Sequence, residues 1–275
     1  MKKKAIRDDI LTDRMSPSQE SYDPHYFEPL FAAEERHFWF TARNKVISSL
    51  VRKSLTDRTE VHLLEVGCGT GNVLRALEKE FPDFHLVGMD LFQEGLKFAR
   101  RRVNCALVQA DLAYPPFGRL FDLIGLFDVL EHIKEDNLVL KHIFEMVRPD
   151  GWMLLTVPAN PSLWSYFDVA SHHVRRYTVE DLREKVQSAG FEVQFASPYM
   201  SATYPLVWFN RHSKNKAAIN DESKVQSQAE DELKNIPVVN DILRGILSLE
   251  AGWLSRGNLL PFGSSLVLLA HKATI

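Results

Sequence analysis

Short apolar runs of strand length alternate along this chain with stretches whose apolar positions recur every three or four residues. The runs fall at 61–66, 86–90, 106–112, 121–127, 147–158, 191–195 and 264–271. Mostly apolar runs of this length suit strands covered on both faces, and the strand–helix alternation predicts a parallel, doubly wound α/β sheet. Residues 26–55 read as helix, with Phe27, Leu30, Phe31, Phe38, Phe40 and Ile47 as anchors. Thr178, three residues ahead of Asp181, caps a helix that ends at Gly190. Val239, Ile242, Leu243, Ile246, Leu247, Glu250, Trp253 and Leu254 follow a helical period with one apolar face.

These patterns predict five segments: a disordered tail at 1–20, an N-terminal helical cover at 21–57, the core at 58–199, a helical insertion covering the substrate at 200–260, and a strand segment at 261–275 that completes the sheet. A polar stretch at 213–234, rich in Lys, Asn, Ser, Gln and Glu, reads as a mobile loop inside the insertion.

Bulk numbers narrow the picture. A chain of 275 residues, 45% hydrophobic, builds one sizeable α/β domain with additions. A net charge of −3 gives no pull toward nucleic acid, so none is expected as a partner. Two cysteines, Cys68 and Cys105, make neither a disulfide framework nor a zinc site. Residues 1–14 lack the apolar centre of a secretory signal, and no apolar run reaches the roughly 20 residues of a membrane span. A cytoplasmic setting is expected, with membrane-surface contact left open and oligomeric state undetermined.

The chemistry starts after the first strand, where Gly67, Gly69 and Gly71 stand at alternate positions ahead of a helix. Bare backbone and unpaired helical N–H groups cradle a nucleotide there. A dinucleotide fingerprint needs its third glycine at 72, which holds Asn72, and no Gly-Lys-Ser/Thr triplet marks a P-loop. Asp90 closes the second strand, where a carboxylate accepts both ribose hydroxyls. Asp111 closes the third.

Glu65-x-Gly67-x-Gly69-x-Gly71 resembles motif I of the class I S-adenosylmethionine-dependent methyltransferases. Residues 121–133 resemble motif IV in its ubiquinone-type O-methyltransferase form, and 147–158 resemble the turn and fifth strand, with Asp150 in place of the usual first glycine. The resemblance implies a Rossmann-like, seven-stranded sheet whose last strand lies antiparallel between parallel neighbours. It implies S-adenosyl-L-methionine as cofactor and S-adenosyl-L-homocysteine as product. The implied contacts are Glu65, Gly67, Cys68, Gly69, Gly71, Asp90, Leu91, Asp111, Leu112, Phe127 and Asp128, with Asp111 accepting from the adenine amino group. It further implies methyl transfer to a small-molecule or lipid-like acceptor, at oxygen on the strength of motif IV. N- or C-methylation and a non-catalytic cofactor-binding protein stay open. The glycine spacing and Asp111 argue against a nicotinamide oxidoreductase.

Three clusters offer further chemistry. His132, with Asp128 and Glu131, is a candidate base or a structural histidine. The resemblance adds a divalent-metal role, but this residue set is too unspecific, and no metal is expected. Residues 171–177 end in His173-Val174-Arg175-Arg176-Tyr177, which resembles a segment of bacterial type-11 and type-12-like methyltransferases. Here His173 is a candidate base, and His172, Arg176 and Tyr177 are candidate contacts to an acidic acceptor. Alternatively the arginines pair with Asp168, Glu180 or Asp181, and Tyr177 is core. Trp164 either walls an acceptor pocket or anchors a loop. Residues 34–43 resemble a segment of the same bacterial group. Arg43 is a candidate for the methionine carboxylate, and His37 and Trp39 are candidates for closing over the sulfonium. The alternative is a helix packed on the sheet.

Overall fold

The computed structural model describes residues 10–12, 27–56, 58–118, 120–218 and 236–274. Its strands are β1 (Leu11–Thr12), β2 (His62–Val66), β3 (His85–Asp90), β4 (Ala106–Gln109), β5 (Phe121–Phe127), β6 (Val147–Pro158), β7 (Glu192–Tyr199) and β8 (Ser265–His271). They form one sheet in the order β1-β4-β3-β2-β5-β6-β8-β7. Pairing is parallel from β1 through β6, and β8 lies antiparallel between β6 and β7. The expected seven-stranded, doubly wound sheet with an antiparallel last strand is therefore present as β2 to β8, and β1 adds an eighth strand at the β4 edge.

The described helices are α1 (Phe27–Glu34), α2 (Phe38–Ser54), α3 (Asn72–Glu80), α4 (Gln93–Arg100), α5 (Asp136–Met146), α6 (Tyr166–Ala170), α7 (Val179–Ser188), α8 (Tyr204–Ala218) and α9 (Pro237–Ser255). Neighbouring residues on one strand serve opposite layers. Leu63 and Leu123 pack with Leu50 of α2, Leu74 of α3, Leu96 of α4 and Leu254 of α9. Leu64 and Ile124 pack with Leu140 and Ile143 of α5 and Val186 of α7. This two-sided burial is why the strands read as continuous apolar runs.

Four expectations need correction. The tail at 1–20 contains β1, which pairs Leu11 with Val108 on the edge strand β4 and so satisfies part of that open edge; apart from Ile10, which packs against the core, its remaining residues lie outside the described ones. The helix expected over 26–55 is two helices, broken at 35–37. His37 caps α2, its Nδ1 accepting the Trp39 N–H at 3.3 Å. The polar stretch 213–234 begins inside α8, which runs to Ala218, and 219–235 lies outside the described residues. The single apolar face expected on the last helix is two faces. Leu247, Ala251 and Leu254 are buried, whereas Val239, Ile242, Ile246 and Trp253 face outward. Packing against α2 needs only one stripe, and the remaining apolar residues exceed it. The Thr178 cap is present: its Oγ1 accepts the Asp181 N–H at 3.1 Å.

Candidate active site

The parallel strands deliver their C-terminal ends to one edge, where the sequence motifs gather. The Gly69 N–H donates to Asp90 Oδ2 at 2.7 Å and the Phe92 N–H to Oδ1 at 2.8 Å. Gly69 sits at φ 49°, and a Cβ added there would meet nothing nearer than the Phe27 ring at 3.9 Å. The space above this glycine is therefore open. Gly71, at φ 77°, starts α3, and an added Cβ would come within 3.0 Å of Ala99 on α4. It sets the packing of α3 against α4 and lies outside the cavity lining.

Burial raises the Asp90 carboxyl to about 6, against the pull of the Phe92 and Gly69 N–H groups. Burial also lifts Glu65 well above the carboxylate range, with Arg43 opposing. Glu65 Oε2 and Asp111 Oδ2 are buried and accept no hydrogen bond among the described residues. The other Asp111 oxygen takes the Ala113 N–H at 2.8 Å. Burial raises the Cys68 thiol well above its ordinary value, so it packs as a neutral group.

These groups open into a cavity of about 740 Å³. Arg43, Glu65, Gly67, Cys68, Gly69, Asp90, Leu91, Asp111, Leu112, Phe127 and Asp128 all line it. His37 and Trp39 line it as well. Arg43 Nη1 donates to Asp128 Oδ2 at 2.8 Å, and its guanidinium lies 4.9 Å from the Trp39 ring centroid. Asp128 holds a positive φ of 58° immediately after β5.

Beyond β5, a single 3₁₀ turn at Leu130–His132 brings Glu131 and His132 to the wall beside His173. His173 Nδ1 lies 2.9 Å from Asp168 Oδ1, and Arg176 Nε donates to the same oxygen at 2.7 Å. Asp168 Oδ2 takes the Ser165 N–H at 2.8 Å, one half of a capping box on α6. Burial would raise Asp168, but the bonds from His173 and Arg176 outweigh it and hold the carboxyl at about 2. A carboxylate at Nδ1 favours the tautomer with its proton there, leaving Nε2 as the acceptor. Nε2 lies 3.9 Å from Glu131 Oε1.

His132 meets His173 edge-on, with ring centroids 4.9 Å apart. Burial, reinforced by His173, lowers its pKa to about 3. His132 is therefore a neutral imidazole and a weak base near pH 7. Burial and then Asp128 push Glu131 well above the carboxylate range. The donor atoms of Glu131, His132 and His173 lie within 4.8 Å of one another, a mixed set of the kind that takes a divalent ion.

Three expected acceptor contacts fall outside the cavity lining. His172 is exposed, at φ 54°. Trp164 ends the 3₁₀ turn Pro161–Leu163. Tyr177 is fully buried, its hydroxyl donating to Asp136 Oδ2 at 3.0 Å. It stabilises the core between α5 and α7. Arg176 does line the cavity, yet its Nη1 donates to the Ala159 carbonyl and its Nε to Asp168. The Arg176–Asp168 pairing is the alternative the sequence offered, whereas the α8 residues Leu206, Val207 and Asn210 on the cavity wall had not been singled out. The Ser165-x-x-Asp168 capping spacing is legible in the sequence, but its second role toward His173 is not.

A family model described as a methyltransferase domain matches residues 32–194. The ubiquinone biosynthesis O-methyltransferase of Bordetella avium is 27% identical over 122 residues, covering 42% of this chain and 50% of that protein. A trans-aconitate 2-methyltransferase of Azoarcus sp. is 30% identical over 131 residues, covering 47% and 48%. The chain thus spans about half the length of these curated relatives. The fold is similar to that of phosphoethanolamine N-methyltransferase 2 of Haemonchus contortus, solved with S-adenosyl-L-methionine. The TM-score is 0.54 at 18% identity, covering 84% of this chain and 53% of that one.

Proposed function

The chain belongs to the methyltransferase-domain family, and on that premise we propose that it methylates an oxygen of a small-molecule or lipid-like acceptor. When bound, S-adenosylmethionine supplies a methyl group already activated on a sulfonium. The residues fit this cofactor: three buried acids surround an open glycine, and two of them keep a carboxyl oxygen without a partner. Asp90 would hold the ribose hydroxyls, Asp111 the adenine amino group, and Glu65 with Gly67 and Gly69 the near side of the cradle. Trp39 offers an aromatic face to a cation in the cavity.

The observation that carries the oxygen reading is the Asp168–His173 pair at the cavity wall. A hydroxyl acceptor must lose its proton as the new bond forms, and an imidazole oriented by a carboxylate can take it. His173 serves as that base, and Asp168 positions it. His132, held neutral, contacts the acceptor or its surroundings. The test is a tritiated-methyl transfer screen over hydroxylated and amine acceptors. Transfer to a hydroxyl that requires His173 supports the reading, and transfer confined to amines rejects it.

A further inference from the structure

α8 turns one face to the cavity. Leu206, Val207, Asn210 and Arg211 recur at helical spacing, and all four line the wall. Trp208 and Phe209, which fall outside that sector, are exposed. The cavity-facing stripe therefore runs from an apolar pair to a polar pair, and its last residue is an arginine only 7% exposed.

Burying a guanidinium costs desolvation, so its surroundings matter. Arg211 Nη1 donates to the Leu163 carbonyl at 3.2 Å, and the guanidinium stands 5.5 Å from the Phe167 ring centroid. Phe167 in turn meets the His173 imidazole edge-on, with centroids 6.4 Å apart. Arg211 is thereby held on the wall that also carries His173 and Arg176.

The charges that line the cavity are partitioned. Glu34, Glu65, Asp90, Asp111 and Asp128 lie on α1 and at the ends of β2 to β5, with Arg43 paired to Asp128. The His173 wall instead holds Arg176 and Arg211, both buried. Asp168, the carboxylate bonded to Arg176, is fully buried and lies outside the lining. Glu131 is the acid on this wall, and burial, then Asp128, favours its neutral form. Burial lowers the Arg176 guanidinium from its ordinary value; Asp168 opposes this, and the neighbouring charge of Arg211 adds to it. Two like charges that feel each other in a buried wall repel, and an anion placed against both relieves the repulsion. The planar guanidinium fork matches the oxygens of a carboxylate or a phosphate.

We infer that Arg211 and Arg176 bind an anionic group of the acceptor, a carboxylate or a phosphate, beside His173. The inference rests on the methyl-transfer reading for the ligand being the acceptor; binding of the anion requires no transfer. The acceptor is then a hydroxylated acid. Its anion seats against the two guanidinium groups, an apolar remainder runs along Leu206 and Val207, and its hydroxyl faces His173.

The test is calorimetry on the full chain loaded with S-adenosylhomocysteine. The probes are 3-hydroxyoctanoate, octyl phosphate and the neutral 1,3-octanediol. At least one anion should bind about tenfold or more tighter than the diol, and which one does so tells carboxylate from phosphate. Added sodium chloride should weaken binding of the anion and leave the diol unchanged. Arg211→Gln should remove the preference for the anion with S-adenosylhomocysteine affinity unchanged. Arg211→Lys keeps the charge but not the fork, and should retain only part of the preference. Binding of neither anion overturns the proposal, as does a diol that binds as tightly as both. So does a preference that survives Arg211→Gln or, where that variant fails to fold, one that Arg211→Lys leaves intact. Anion binding that follows these expectations without methyl transfer to 3-hydroxyoctanoate supports the subsite and counts against the oxygen-transfer reading alone. The same titrations on the chain without S-adenosylhomocysteine test the subsite should the cofactor reading fail.

Discussion

His173 and Asp168 stand five residues apart in sequence and 2.9 Å apart at Nδ1 and Oδ1, with Arg176 on the same carboxylate oxygen. His173→Ala should lower kcat by about 10²- to 10⁴-fold with cofactor affinity near wild type. Turnover on an identified hydroxyl acceptor and calorimetry check both halves. Asp168→Asn should lower kcat less and shift the pH–rate profile, because it disturbs the orientation of the base rather than removing it.

Asp168 also sets an acid limit on stability. Its folded-state carboxyl, at about 2, lies below its unfolded value, so its contribution is present above pH ~4 and is lost as pH falls through 2. The contribution is on the order of 2 kcal/mol. Asp168→Asn should flatten denaturant-measured stability across that window.

Asp90 behaves with the opposite sign. Its folded carboxyl is raised to about 6, so ionising it costs stability as pH rises from ~4 through 6. The ionised form is the one that accepts the ribose hydroxyls. S-adenosylmethionine affinity should therefore fall as pH drops below about 6, and Asp90→Asn should flatten that dependence. Gly69→Val, a β-branched residue forced to a φ of 49°, should abolish binding at any pH. Titration calorimetry across pH reads all three.

Arg43 and Asp128 join α2 to the end of β5 at 2.8 Å. Arg43→Ala leaves a partly buried carboxylate without its partner and should cost about 3 kcal/mol. A double-mutant cycle with Asp128→Asn should show coupling above 0.5 kcal/mol on chemical denaturation.

Tyr177→Phe removes one buried hydroxyl bond to Asp136 and should cost about 1 kcal/mol. Because Tyr177 lies off the cavity, kcat should remain unchanged.

Local signals carried the cradle. The glycines, Asp90 and Asp111 lie at strand ends whose positions follow from apolar runs, so their convergence follows from parallel topology. Asp168 was legible as a partner for Arg176, but its link to His173 was not, because that link depends on α6 folding back and not on spacing between motifs. Tyr177 and Arg176 are neighbours in sequence but diverge in space. One lies between α5 and α7 while the other reaches Asp168, and no periodicity separates them. The two faces of α9 were merged because a helical period shows which residues are apolar, not which find a partner.

The placement of β8 orders events during synthesis. β6 ends at Pro158, and the strand that pairs it begins at Ser265, after β7, α8 and α9 have been made. Until then β6 and β7 each present an open edge. A nascent or cleaved chain lacking residues 265–271 would hold the complete cofactor cradle on an unsealed sheet. Such a species is prone to pair with another chain, so the risk of aggregation peaks late in translation.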